Sequence, residues 1–531
     1  MAPCSASRGC SDSRPQRKTH GAALGRPQLA TPARIPLFTC SPAKVYNSMD
    51  TVFGIRFYFS PLRPRSHRPP TSSISPQMPS MNLDVLVNLM SFLPQRDLLS
   101  MLLVNRACYW EAANLLAAKA DFTHRPLTEE TIPSYAQFLA RDETTRGSYL
   151  RHFNVQFWDD VSYDVGMYLA CILACCPNIV CLRLTQCESL ILSLDLAISL
   201  PVLFMKGLTE VCFEDVGYRW VEAVCSELDA PLLRATVMFI EGSTRGALIP
   251  DATGLFSRCA GTLQHMTTNG RFLGTLVTYP QAISLRLLHD DMQNVGTLID
   301  SFPNLEHLRV DEEDRYLTSL DAIQLREVRA QNVIEIARRI PDPELCSSWP
   351  VGENARFAGR ARSLYLLGLS NVAYVELDAK AEDIEDIQVA LHDAAPMDLY
   401  ITLSVFRVTW NSLAELSCGG NLNILELNIV LDIPPLDCDR IIPCIIAMCR
   451  HEPICNLHLA FQEIEDSFWW MWLAQIDMPH LALVLATELQ GLAQIHITAG
   501  KHQSGEWQVA QIGPGVVGVE ELPVGHRDRW L

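Results

Sequence analysis

The stretch PNLEHLRV, Pro303 to Val310, spaces its apolar residues as L-x-x-L-x-V, with Leu305, Leu308 and Val310 apolar and Arg309 between the last two. Side chains alternate along an extended chain, so Leu308 and Val310 share one face and Arg309 takes the other. The same phrase occurs in PNIVCLRL (Ile179, Leu182, Leu184) and LTEVCF (Leu208, Val211, Phe213). Weaker copies start at Leu232, Leu263, Ala282, Leu325, Val372, Leu422, Ile454 and Leu492. From Leu208 to Leu232, Ala282 to Leu305 and Leu305 to Leu325 the starts lie 24, 23 and 20 residues apart. Between copies the apolar period changes to helical. In MQNVGTLIDSF one face carries Met292, Val295, Leu298, Ile299 and Phe302, and EDIEDIQVAL behaves alike.

A strand followed by a returning helix, repeated, predicts parallel strands in a right-handed α/β solenoid. The period falls in the range of roughly 20 to 29 residues of leucine-rich repeats. The expected fold class is therefore α/β, with a leucine-rich-repeat-like solenoid over residues 171–498, a connecting helical segment over 126–170 and a C-terminal tail over 499–531. An irregular α/β or α+β domain is the alternative.

In a solenoid the residue between the last two apolar positions faces the concave surface. That position reads Arg183, Cys212, Thr236, Thr267, Arg286, Arg309, Arg329, Glu376, Glu426, His458 and His496. Arg286, Arg309 and Arg329 come from successive copies and are expected in one column at about the 4.8 Å strand spacing. Stacked guanidinium groups repel one another unless anions neutralise them. Either the column binds an acidic or phosphorylated segment of a target, or Asp290, Asp291, Asp311, Glu312 and Glu313 neutralise it locally. FWWMWL, Phe468 to Leu473, is expected as a late helix whose Trp469 and Trp472 pack as core or as an end cap; exposed, they would form an interaction hot spot.

Ahead of the repeats, Leu83, Leu86, Leu89, Met90 and Leu93 have helical spacing, and Leu98, Leu99, Leu102 and Leu103 restart it. The break at Leu93-Pro94 is read as a helix start, with Pro94 at the first helical position and Asp97 in the first turn, favourable to the helix dipole. Asn105 is the expected N-cap of a third helix, RACYWEAANLLAAKA. Three short helices over residues 81–125 make a small core that needs a surface to cover its leucines.

Met81 to Trp110, MNLDVLVNLMSFLPQRDLLSMLLVNRACYW, resembles an F-box. The matching positions are Asp84, Val85, Leu86, Leu89, Ser91, Leu93, Pro94, Asp97, Leu98, Leu99, Val104, Arg106 and Trp110; Met81 and Asn82 stand where the family has Leu-Pro. The resemblance covers about 40 of the residues and implies docking on a Skp1-like adaptor, and through it on a cullin. It would place Met81, Asp84, Leu86, Leu89, Leu93, Pro94, Asp97, Leu98, Val104 and Trp110 at that contact. An F-box followed by irregular leucine-rich repeats resembles the substrate receptors of SCF-type ubiquitin ligases, of the divergent kind frequent in fungi. The repeats would then hold an unknown protein target.

Charge sets the remaining expectations. Residues 1–80 carry 11 Lys and Arg against 2 Asp and Glu, so the net charge of −18 for all 531 residues leaves −27 for residues 81–531. The first segment, rich in Arg, Ser and Pro, is expected to be a disordered basic tail. A transit-like segment and a later start at Met78 or Met81 are the alternatives. An acidic body argues against nucleic acid as a specific partner. No uncharged apolar run is long enough to span a bilayer, and 18 cysteines without C-x-x-C fit a reducing compartment, cytoplasm or nucleus.

No cofactor or metal is expected. GPGVVG, Gly513 to Gly518, matches G-x-G-x-x-G but contains a proline and follows no βαβ beginning. Cys171, Cys175, Cys176, Cys181 and Cys187 lack a completing His or Cys pair for zinc. The runs EDIED (Glu382 to Asp386) and DEED (Asp311 to Asp314) could supply carboxylates to a solenoid carbohydrate hydrolase, but charge runs are ordinarily solvated faces. The expected function is non-catalytic target recognition for a ligase. A repeat scaffold without a ligase role, or the hydrolase, stands as the alternative.

Overall fold

Leu305, Leu308 and Val310 are all buried, and the last two lie on a strand, His307–Val310, in the middle of one long sheet. The computed structural model describes residues 83–522 apart from loop segments, the longest being 123–130, 188–197, 240–251, 312–321, 341–348, 406–413, 432–439 and 464–472. The chain divides after Pro79, and everything described belongs to the unit Ser80–Leu531. The expected tail 1–80, Met81, Asp290, Asp291, Glu312, Glu313 and the tryptophans of FWWMWL lie outside the described residues.

Among the described residues sixteen strands form a single open sheet whose spatial order is the chain order. They are β1 (Lys119–Phe122), β2 (His152–Gln156), β3 (Cys181–Thr185), β4 (Glu210–Val216), β5 (Arg234–Phe239), β6 (His265–Thr268), β7 (Ser284–Leu287) and β8 (His307–Val310). There follow β9 (Arg356–Arg360), β10 (Tyr374–Lys380), β11 (Asp398–Val405), β12 (Ile424–Leu431), β13 (Asn456–Glu463), β14 (Gln494–Ala499), β15 (Gln503–Gly513) and β16 (Val516–Glu521). Neighbours from β1 to β14 are parallel; β14, β15 and β16 pair antiparallel. The protein is thus mixed α/β, as the alternating periods imply.

A repeated hydrogen-bond device turns the chain into many of the parallel strands. The Arg151 carbonyl accepts from the N–H groups of Val180 (2.8 Å) and Cys181 (2.9 Å), and the Ile283 carbonyl accepts from Glu306 (3.0 Å) and His307 (2.9 Å). The Met397 carbonyl accepts from Asn423 (2.7 Å) and Ile424 (3.1 Å) in the same way. One carbonyl with two lone pairs thereby satisfies two amides at each of these corners. The Pro-Asn turns add a second tie: Asn178 donates to the Ser148 carbonyl at 3.0 Å, and Asn304 to the Pro280 carbonyl at 2.9 Å. Each turn is fastened to the loop before it.

The helices are α1 (Leu83–Ser91), α2 (Gln95–Met101), α3 (Arg106–Ala118), α4 (Thr131–Ala140), α5 (Tyr163–Cys175), α6 (Tyr218–Glu227), α7 (Val295–Ser301) and α8 (Ala322–Arg339). They continue with α9 (Ala361–Leu367), α10 (Ile384–Ala394), α11 (Ile441–Cys449) and α12 (Met478–Glu488). The apolar faces of α4 to α12 join the inward strand residues in one continuous buried cluster from Ala117 to Trp507, with Leu298 of α7, Leu364 of α9, Leu391 of α10 and Leu485 of α12 among its members. Burial along the strands alternates, as in β14, where Ile495, Ile497 and Ala499 are buried and the residues between them are half-buried.

Three expectations are corrected. The copy starting at Leu325 is not a strand: QLREVRA belongs to α8, so Arg329 sits on a helix and the strand after β8 is β9. The segment 126–170 is not only helical, because β2 carries buried Phe153 and Val155 and follows buried Leu150, the L-x-x-L-x-L phrase again. The segment 499–531 is more than a tail, because β15 and β16 form an antiparallel hairpin on β14, with Trp507 buried opposite Ile495.

The insertion between β8 and β9 is tied in by Asn332 of α8, which is fully buried. Its side-chain amide donates to the Leu366 carbonyl at 2.9 Å, and its Oδ1 accepts from the Val295 N–H at 3.4 Å. One side chain therefore serves the first amide of α7 and a late carbonyl of α9, groups that a helix cannot satisfy internally.

The three N-terminal helices have a small core of their own, Met90, Leu98 and Ala112, lined by Leu86, Leu93, Met101, Leu102, Leu115 and Leu116. Pro94 is the N-cap of α2 in an extended conformation (φ −65°, ψ 155°), not its first helical residue, and its carbonyl accepts from Asp97 (2.9 Å) and Leu98 (3.1 Å). Asn105 caps α3, accepting from the Cys108 N–H at 2.9 Å. Helix α3 also reaches the main core through Ala117 and runs directly into β1. Buried Arg146 clamps this junction: it donates to the Phe138 carbonyl of α4 (3.2 Å) and the Tyr109 hydroxyl of α3 (2.8 Å) and stacks over the Phe138 ring at 4.7 Å.

Candidate interaction surfaces

The strand register stacks the outward central positions into one ladder: Asp121, Asn154, Arg183, Cys212, Thr236, Thr267, Arg286, Arg309, Ala358, Glu376, Tyr400, Glu426, His458 and His496. Every position expected from alternation is there except Arg329. Asp121, Asn154, Ala358 and Tyr400 are additions, from strands in which at least one of the three repeat leucines is absent or replaced.

The two remaining arginines of the column share one acid. Arg286 donates from Nε to Asp311 Oδ2 at 2.5 Å, and Arg309 from Nε to Asp311 Oδ1 at 2.9 Å. A single carboxylate held between two guanidinium groups leaves the trio net positive. Of the acids considered above as local neutralisers, Asp311 is the one among the described residues, and it pairs with both arginines. Arg329 lies elsewhere, paired with Asp393 and the Tyr365 carbonyl and packed over the Tyr365 ring at 4.6 Å.

The flanking positions extend the charge pattern. On the β5–β9 side the row beside the ladder holds Arg234, His265, Ser284, His307 and Arg356. Burial, and then the neighbouring Arg234 for His265 and Arg356 for His307, push both imidazoles below their ordinary pKa, so they favour the neutral form. On the β10–β12 side stand Glu376, Asp378, Asp398 and Glu426. Between the halves Arg356 lies over the Tyr374 ring at 4.8 Å, and Tyr374 and Tyr400 pack with centroids 4.7 Å apart. Burial, with Tyr400 and Glu376 adding, raises the Tyr374 phenol to about 12, so it stays a neutral donor. A cleft of about 200 Å³ opens at this seam, lined by Arg309, Asp311, Gly359, Arg360, Glu376 and Asp378 among others. Further along, His458 Nδ1 lies 3.6 Å from Glu426, and the His458 and His496 rings meet edge to face at 5.3 Å.

The second surface is on the N-terminal helices. Leu98, expected at the adaptor contact, is buried in the small core, and Leu86 and Leu93 line the same core. Asp84, Leu89, Pro94, Asp97 and Val104 are exposed, and Trp110 is half-buried against Tyr109 with ring centroids 5.9 Å apart. The sequence reading missed the most exposed apolar side chains, Phe92 (85% exposed) and Leu103 (89%). Val85 and Leu89 share one face of α1, and Leu99 with Leu103 continues α2.

Among the described residues no group of three His, Cys, Asp or Glu is placed to hold a metal ion, and no helix is long and apolar enough to cross a membrane. Burial raises the thiol of Cys176 to about 12, and that of Cys187 well above its ordinary value. Of the acidic runs, Asp311 is held by its two arginines, and Glu385 and Asp386 open α10.

No protein-family model and no curated protein matches the chain.

Proposed function

We propose that the chain is a non-catalytic substrate-recognition subunit of an SCF-type ubiquitin ligase, with α1–α3 as an F-box docking a Skp1-like adaptor and a leucine-rich-repeat-like solenoid holding the target protein. The observation that carries this reading is the contrast within α1–α3. Their small core is complete, yet Val85, Leu89, Phe92, Leu99, Leu103 and Val104 remain in solvent. Large apolar side chains gathered outside a finished core mark a contact surface. The consecutive strand order with helical returns supports the solenoid, and its outward ladder supplies a second, independent face for a target. The adaptor would bring a cullin, and the chain itself would only position the target, in the cytoplasm or nucleus.

The test is co-purification of a Skp1-like adaptor and cullin with wild type and with a Phe92→Asp/Leu103→Asp variant. Both substituted residues are exposed, so circular dichroism should be unchanged while recovery is lost. Failure of wild type to recover the adaptor, or equal recovery by the variant, overturns the ligase reading and favours a repeat scaffold acting through the sheet face alone. Leu98→Asp is unsuitable, because it places a charge in the small core.

A further inference from the structure

The outward sheet face from β7 to β12 is polar in one direction. Its first three strands present Arg286, Arg309 and Arg356, against which, among the described residues, Asp311 alone is paired in a hydrogen-bonded ion pair. Its last three present Glu376, Asp398 and Glu426, with Asp378 beside them. Arg356 contacts the Tyr374 ring and Arg360 lies 3.8 Å from Asp378, so the halves neutralise each other only along the seam between β9 and β10. Counting the described residues, Arg286 and Arg309 with Asp311 sum to a positive charge, while Glu376 and Glu426 carry negative charge.

We infer that this face binds an extended protein segment whose acidic residues lie over Arg286 and Arg309, whose basic residues lie over Glu376 and Glu426, and whose centre crosses the Tyr374–Tyr400 pair. The inference rests on the target-binding half of the proposed function and specifies the chemistry of the target. Five strand spacings of roughly 4.8 Å give about 24 Å from β7 to β12, the reach of about seven extended residues. Opposed charge blocks on a ligand satisfy both ends at once, whereas an all-acidic ligand would meet repulsion over β10–β12. Long-range complementarity of this kind fixes direction and register more than raw affinity. The cleft at the seam leaves room for a side chain between the blocks.

The test uses full-length protein and three fluorescent peptides read by anisotropy at low salt: Glu-Glu-Glu-Gly-Lys-Lys-Lys, an alternating peptide of the same composition, and Glu-Glu-Glu-Gly-Glu-Glu-Glu. The blocked peptide should bind at least about tenfold more tightly than the other two and lose that advantage as salt approaches a Debye length of about 8 Å. Arg286→Gln/Arg309→Gln and Glu376→Gln/Glu426→Gln should each abolish the preference. Equal binding of blocked and alternating peptides, or tighter binding of the all-acidic one, overturns the inference, as does a preference that survives both pairs of substitutions. Adaptor recovery by the same preparations is scored separately: retained recovery without peptide preference rejects only the dipolar face, and lost recovery with intact preference rejects only the ligase.

Discussion

Replacing Asn332 with Ala removes a partner from two helices at once. The Val295 amide and the Leu366 carbonyl then stay in the interior without the bonds seen at 3.4 and 2.9 Å. A buried polar group left unsatisfied costs about 1–3 kcal/mol, and the longer bond to Val295 places that half at the lower end, so the two together come to about 2–3 kcal/mol. Because the loss is confined to α7 and α9, native-state hydrogen exchange reads it better than a global melt. At a factor of ten per 1.4 kcal/mol, amide protection in those two helices should fall by about 30- to 100-fold, while strands β10–β14 stay unchanged. Asn332→Leu is the control, since it refills the volume without restoring either bond. If Asn332→Leu regains wild-type protection, the site was held by packing and the hydrogen-bond account is wrong; unchanged exchange in Asn332→Ala refutes it as well.

Gly359 has φ +149°, and a Cβ there would lie on the Val310 carbonyl oxygen across the β8–β9 pair, so Gly359→Ala should cost at least about 1–3 kcal/mol and lower the urea midpoint. An unchanged midpoint would mean that the strands do not approach so closely. His265 and His307 give a pH prediction. Their folded pKa values lie below the ordinary 6.5, so between the two values the unfolded chain binds more protons and stability falls as pH drops below about 6.5. Since Arg234 and Arg356 lower the imidazoles and Glu306 opposes only the shift at His307, replacing both histidines with Gln should flatten the urea midpoint between pH 7 and pH 5.5. A slope that persists in the double variant assigns it to other groups.

Much of the ladder was legible because alternation depends on backbone geometry alone: once Leu308 and Val310 face inward, Arg309 must face out. The failure at Arg329 has an equally local cause. Leu325 and Val328 stand three apart, a spacing that opens both the repeat phrase and a helical face, and only the continuation through Asn332 and Ile336 decides for the helix. Strand β2 was overlooked because aromatic Phe153 replaces the second leucine, and β9 because Gly359 erases the last apolar position. The exposure of Phe92 and Leu103 was hidden for a different reason. Helical spacing says which leucines share a face but not which face the third helix covers, and burial of Leu98 follows from where α3 crosses.

The agreement of strand order with chain order has one more consequence. Among the described residues each strand from β2 to β15 pairs with the strands just before and just after it in the chain, so the loss or doubling of one strand-and-helix unit leaves two compatible edges to rejoin. The insertion carrying α8 leaves the parallel pairing of β8 with β9 in place. Chain length is therefore a free variable in descent, and the outward ladder is a text that can be lengthened, shortened or rewritten one rung at a time.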